Sequence, residues 1–387
     1  MSHASLLRDV SGVSPSSTRN GIDAIVVPAS RPSAQRAINL SAELSIPLVI
    51  LCSRQAKAES IAERVEKTFG ARALVIHVPD SYALLPTPLL TSNPYFAKLS
   101  AGRSSDLSVK RNLGLRLARL RGWRKILFLD DDISSVRPQD IARLSGYLDN
   151  HSVAAMASRT FPDNSVVFHA RRQARFRQDV FVGGAVLGVN IQNPATSFFP
   201  DVYNEDWFFF ARFAAQRSLV KVGEVRQDEY KPFDDPRRAA REEFGDFLAE
   251  GLYALFESTS DLNFNDQLTA AGDNHWRWFK EIRLEMIAAT SAELQRQLTD
   301  ADPVEYRTGL QALESLRFAG EHLQAISSAD CVEFIRRWRW DERTWRLTMA
   351  RSDFGLSERD ALDELGLTTW FSCGYGRSSR NGSVDCA

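Results

Sequence analysis

Four short apolar runs, rich in β-branched residues, punctuate the first third of the chain: residues 22–28 (IDAIVVP), 47–52 (PLVILC), 73–78 (ALVIHV) and 125–129 (KILFL). Each is short for a helix and too uniformly apolar for a strand with one wet face, so each reads as a strand covered on both sides. Helix-like segments at 34–44, 59–69 and 108–120 lie between them. This alternation predicts an α/β fold with a mainly parallel, open sheet, because parallel neighbours need a crossover that a helix supplies. Ligands of such sheets gather beyond the carboxyl ends of the strands. Residues 28–31 and 130–132 both fall at such ends.

Further along, residues 153–159, 180–190 and 219–225 read as strands, with a helix over 204–216. Helical periodicity dominates from about 236, over 237–256, 274–298, 304–326 and 331–349. The expected organisation is a polar, mobile leader over 1–20, an α/β domain over 21–235, a helical domain over 236–370 and a flexible Gly/Ser-rich tail over 371–387. At 387 residues with 44% hydrophobic side chains, the chain has enough apolar material for a core that needs no metal or disulfide staple. Cys52, Cys331, Cys373 and Cys386 show no zinc-like spacing, which fits a reducing, cytoplasmic setting. The first residues lack the pattern of a signal peptide, and no stretch approaches the ~18 apolar residues of a spanning helix. With 48 basic and 49 acidic residues the net charge is −1, so no overall field draws the chain to nucleic acid or membrane, although local basic patches remain open.

Three features carry candidate chemistry. The strand at 125–129 runs directly into Asp130-Asp131-Asp132. Adjacent carboxylates at a strand end favour a hard cation, Mn²⁺ or Mg²⁺, which keeps positions open for phosphate oxygens; acidic capping of a following turn is the plainer alternative. Glu205 and Asp206 open an aromatic helix, either as caps or with one of them facing a cleft as a general base. Gly183-Gly184 marks a bulge or a close approach of backbone to ligand.

In order and spacing these features resemble the GT-A glycosyltransferases, particularly the large inverting family 2. The resemblance covers roughly residues 22–230. It rests on Val26-Val27-Pro28-Ala29-Ser30-Arg31, Lys110-Arg111-Asn112-Leu113-Gly114, the three aspartates, Gly183-Gly184 and Glu205-Asp206. It implies a nucleotide-sugar donor, with a UDP-sugar as the default, and a small-molecule or glycan acceptor. It places Pro28, Ala29, Ser30, Arg31, Arg111, Asp130 and Asp131 around the donor, with Asp130 at the ribose or near the metal and Asp132 as metal ligand. Gly183 and Gly184 would floor the sugar and acceptor site, and Glu205 or Asp206 would be the base. Two departures stand out. The second strand ends Leu51-Cys52-Ser53-Arg54 with no base-binding acid, and residues 225–230 contain no histidine, leaving Gln227 or Asp228 as substitutes.

Weaker signals are the arginines 171, 172, 175 and 177, read as a solvated loop or strand face, and the triplets Trp276-Arg277-Trp278 and Trp338-Arg339-Trp340, read mainly as helix packing. His169 and His275 read as ordinary polar histidines. Asp130-Asp131-Asp132-Ile133-Ser134 also fits the nucleophile loop of haloacid-dehalogenase-like phosphatases, with Asp246 and Glu250 as a later acidic motif. A degenerate nucleotide-binding module of the same fold is the non-enzymatic alternative. The helical domain would shape the acceptor site or build a homodimer.

Overall fold

The computed structural model describes residues 3–15, 20–159, 161, 165–178 and 181–374, together with the backbone of 379–381. Its strands are β1 (Leu7–Asp9), β2 (Ala24–Ala29), β3 (Leu48–Cys52), β4 (Ala73–His77), β5 (Lys125–Leu129), β6 (Ile133–Ser135), β7 (Val153–Ser158), β8 (Val186–Asn190), β9 (Leu219–Gln227), β10 (Trp370–Cys373) and β11 (Ser379–Asn381). The helices of the first part are α1 (Gln35–Leu44), α2 (Ala58–Glu66), α3 (Pro94–Leu99), α4 (Leu107–Leu120), α5 (Pro138–Tyr147), α6 (Val166–Gln173) and α7 (Glu205–Ala215). Then come α8 (Arg238–Ser258), α9 (Phe264–Ala270), α10 (Asp273–Gln297), α11 (Pro303–Ala325), α12 (Ser328–Arg351) and α13 (Glu358–Glu364).

The sheet runs β1-β9-β7-β8-β5-β2-β3-β4-β10-β11, with β6 paired to β9 off this path. β5, β2, β3 and β4 are mutually parallel, as are β7, β9 and β1. β8 runs against both β5 and β7, so the two parallel groups point the same way. The chain is therefore α/β with a mixed, mostly parallel sheet, and the carboxyl ends of β2, β3, β5, β7 and β9 share one edge.

Burial on both faces explains the uniformly apolar strands. Ala24, Val26, Val49, Leu51, Ile126 and Phe128 belong to one apolar cluster, under α4, α7 and α8. Ile25, Val27, Leu48, Ile50, Leu127 and Leu129 belong to the other, under α1, α2 and α5. Pro28 lies in a central strand, where a missing N–H normally breaks the ladder. Pairing of β2 with β5 ends at Val26, so Pro28 lies beyond the ladder on that side.

Four expectations are corrected. Residues 3–10 are no mobile leader: Leu6 is fully buried, His3 nearly so, and β1 extends the sheet beside β9. A three-residue edge strand is too short to show periodicity, and the ladder of β9 supplies its order. Residues 371–373 belong to β10, which pairs antiparallel with β4, so the tail does not begin at 371; 375–378 and 382–387 lie outside the described residues. Gly183 and Gly184 precede β8 rather than interrupt it. Arg171 and Arg172 lie on α6, not on a loop or strand, and only Arg175 and Arg177 of that cluster follow it.

The helical region has no core of its own. The cluster holding Val26 and Phe128 continues through Phe244, Phe334 and Trp338. Gly245 allows a close approach: a Cβ there would stand 2.2 Å from the carbonyl oxygen of Tyr203, so α8 lies directly on the segment that leads into α7. Among the described residues, no helix is long and apolar enough to cross a membrane.

Candidate active site

The crevice at the shared sheet edge is organised by Arg111, from the middle of α4. One nitrogen, Nη2, donates to both carboxylate oxygens of Asp130, at 2.9 and 3.0 Å, and Nη1 donates to Glu205 Oε1 at 2.7 Å. Burial works against the charge on Arg111, but Asp130 and Glu205 outweigh it and raise its pKa. One guanidinium thus ties α4, the end of β5 and the start of α7 together.

The neighbours of Arg111 explain its motif. Lys110 is buried and donates to Ala29 O at 2.8 Å and Ser30 Oγ at 3.0 Å, fixing the loop after β2. Its Nζ also lies 3.1 Å from Asp106, which accepts from the hydroxyl of Ser53, just past β3, and pairs with Arg54 at 3.8 Å. Asn112 exchanges two hydrogen bonds with the backbone of Phe199, at 2.7 and 2.8 Å. Gly114 lets α4 lie flat on the sheet, since a Cβ would come within 2.9 Å of Val26 and 3.0 Å of Phe128.

The three aspartates divide their work. Asp131 Oδ2 accepts from the backbone N–H groups of Ser30 and Arg31, at 2.8 and 3.0 Å, and so caps the loop after β2. Asp132 Oδ2 accepts from Arg31 Nη2 at 3.0 Å and from Gln227 Nε2 at 3.1 Å. Asp132 Oδ1 and Gln227 Oε1 are buried and have no hydrogen-bond partner among the described residues. Two orphaned oxygen acceptors on adjoining side chains are costly unless something positive meets them. That donor set suits a hard divalent cation, which needs one or two protein oxygens when phosphate supplies others. Among the described residues no group of three or more His, Cys, Asp or Glu is placed to hold a metal. Asp228, the other substitute, is paired with Arg36 at 2.5 Å.

On the far side of Arg111 a cavity of about 240 Å³ opens, lined by Glu205, Asp206, Trp207, Gly183, His3 and Arg103 among others. Glu205 is buried against Arg111. Asp206 accepts the backbone N–H of Gly184 at 2.5 Å and that of Trp207 at 2.8 Å, which holds the Gly183-Gly184 segment against the start of α7. A Cβ on Gly184 would lie 2.5 Å from Arg111 Nη1, and one on Gly183 would lie 3.4 Å from Asp206 Oδ2. Gly184 is the space that Arg111 needs.

Two groups at or behind the cavity, His3 and Arg283, come from positions the sequence does not mark as functional. His3 bonds Glu250 of α8 at 3.0 Å and sits edge-on to Trp207 and Tyr253. Burial lowers its pKa, but Glu250 and Glu257 more than reverse this and hold it at about 9. Behind the cavity, Arg283 of α10 bonds Glu243 at 3.0 and 3.1 Å and also pairs with Asp246, which accepts from Ser165 at 2.6 Å and Asn204 at 2.9 Å. Burial raises Glu243 to about 7 despite Arg283. His169, beside Tyr230 at 3.0 Å, is pushed by burial to about 4 and is neutral. Cys52, Cys331 and Cys373 are buried.

The sequence matches no protein-family profile and no curated protein.

Proposed function

We propose that the chain is a GT-A-type glycosyltransferase that moves a sugar from a nucleoside-diphosphate sugar to a hydroxyl acceptor. The observation that carries this reading is the arrangement on either side of Arg111. Asp130, Asp132 and Gln227 gather on one side at the strand ends, and Asp206 faces a cavity on the other. That spacing separates a diphosphate-handling region from an acceptor-handling one.

Mn²⁺ or Mg²⁺ fits Asp132 Oδ1 and Gln227 Oε1, and when bound there it would offset charge on the departing diphosphate. Arg31 is about half exposed and its ion pair with Asp132 is weak at such a surface, so it is free to turn toward phosphate oxygens. Asp206 is the base in an inverting step. Its carboxylate takes the proton of the acceptor hydroxyl as that oxygen bonds the anomeric carbon and the bond from that carbon to phosphate oxygen breaks. Glu205 is a positioning residue that keeps Arg111 in place. Trp207 and Phe181 offer flat apolar surface beside the carboxylates, a combination suited to a sugar ring or glycan acceptor. A UDP-sugar remains the default donor.

The phosphatase alternative needs Asp130 as nucleophile, and both of its oxygens face Arg111. The binding-module alternative draws on the lack of a three-ligand cluster among the described residues. Donor consumption without acceptor tests both. The protein is expected to release free nucleotide slowly from its donor, faster with Mn²⁺, and Asp132→Asn is expected to lose the metal-stimulated part. No release, or release that Asp132→Asn leaves unchanged, contradicts the proposal.

A further inference from the structure

Helix α12 contains a Trp-Arg-Trp triplet that the site does not use. Its inner face is settled: Phe334, Trp338 and Trp345 are buried, Asp341 accepts from the backbone of Leu90 and Thr91 at 2.8 Å each, and Glu342 pairs with Arg346 at 2.5 Å. The opposite face is exposed and has a different composition. Val332, Arg336, Trp340, Arg343, Leu347 and Arg351 follow each other at intervals of three or four, with Arg339 at the margin. At 3.6 residues per turn these positions fall within a stripe about 120° wide and roughly 28 Å long. Trp340 is 59% exposed and Leu347 56%.

Charge is sorted across the helix. Asp341 and Glu342 point inward, and Glu333, at the rim, pairs with Arg336 and Arg337. Arg339, Arg343 and Arg351 form no ion pair among the described residues. A chain of net charge −1 thus presents a local cationic stripe interleaved with Trp and aliphatic side chains. Trp and Arg also suit a protein interface, but a two-fold contact through this stripe would set arginines against the same arginines. Nucleic acid would engage the guanidinium groups but leaves Val332 and Leu347 without a partner. A lipid surface satisfies both, with anionic headgroups at the arginines and the acyl boundary at the apolar side chains.

We propose that the exposed stripe of α12 docks the protein on an anionic lipid surface, with Arg339, Arg343 and Arg351 on the headgroups and Trp340 and Leu347 at the acyl boundary. This rests on no part of the transferase reading.

The test is co-sedimentation of the full chain with vesicles of phosphatidylcholine, with and without phosphatidylglycerol, over a range of salt. Binding is expected only to the anionic vesicles and is expected to weaken as salt rises. Arg339→Glu with Arg343→Glu should lower the partition about tenfold or more. Trp340→Ala with Leu347→Ala should also weaken it at unchanged net charge, and both variants should keep the native circular dichroism. Should either fail to fold, Arg336→Glu with Arg351→Glu tests the same stripe from its ends. Equal binding to both vesicle types, binding to neither, or wild-type partition in the folded charge-reversed protein overturns the proposal. So does a stripe that proves to bind oligonucleotide or a second copy of the chain while leaving vesicles alone.

Discussion

Arg111 pairs with two carboxylates from different elements, the buried Glu205 and the partly exposed Asp130, so its removal does more than delete one charge. Arg111→Ala removes the charge-assisted hydrogen bonds to Asp130 and leaves the buried Glu205 with only the longer contact to Arg103, at 3.9 Å, and a destabilisation of about 3–5 kcal/mol is expected, read as a lowered midpoint in urea. Gly184→Ala probes the same group from outside: the added methyl would overlap Nη1, and a loss of about 1–3 kcal/mol is expected together with reduced turnover. The two acids of α7 should separate cleanly. Asp206→Asn retains an oxygen for the N–H of Gly184 and gives up the one for Trp207, whose N–H keeps the carbonyl of Asn204, so the loss of stability should be small while turnover falls about 10²–10⁴-fold. Glu205→Gln weakens the hold on Arg111, and its thermal midpoint should fall. Equal effects of the two substitutions on both stability and rate would contradict this division. Adjacent residues of the same sign cannot be told apart in a sequence. Here the turn of α7 decides, because it points Glu205 at Arg111 and Asp206 at the glycine pair.

Elements with a full hydrophobic signature were legible from the chain. β2, β3, β4 and β5 appear as apolar runs because both of their faces are covered, and α4, α7, α8, α10, α11 and α12 because their periodicity spans several turns. What escaped were short edge pieces and helices with mixed faces: β1, β6 and β10 have three or four residues each, and α6 carries arginines where a pattern would need apolar residues. The site was legible where it follows strand ends, at Asp130–Asp132 and Arg31. It was hidden where it depends on distant packing, as with His3 against Glu250, which are separated by 247 positions. That contact anchors the segment bearing β1, and its effect on stability has a definite sign. His3 titrates near 9 when folded, against 6.5 otherwise, so its contribution is complete below about pH 6.5 and is lost as pH rises through 9. The difference in stability between the protein and His3→Ala should accordingly reach roughly 3 kcal/mol at most near pH 6 and shrink toward pH 10. A difference that grows with pH would contradict the pairing with Glu250.

At the scale of the whole molecule, the sheet and the helical region share one apolar cluster and meet through Gly245 against Tyr203. They are expected to unfold together, so near-UV and far-UV circular dichroism should give one coincident transition; two separated transitions would mean independent units. The same continuity sets the cavity between them, with the strand ends on one side and α7 and α8 on the other. The central claim is that the crevice beyond β2 and β5 takes a nucleoside diphosphate together with a divalent cation at Asp132 and Gln227. Calorimetric titration of UDP, GDP, dTDP and ADP, each with and without Mn²⁺, tests it most directly. One nucleotide is expected to bind with Mn²⁺, a chelator to abolish the binding, and Asp132→Asn and Gln227→Ala to weaken it. Failure of every nucleotide to bind, or binding indifferent to Mn²⁺ and to both substitutions, would contradict it.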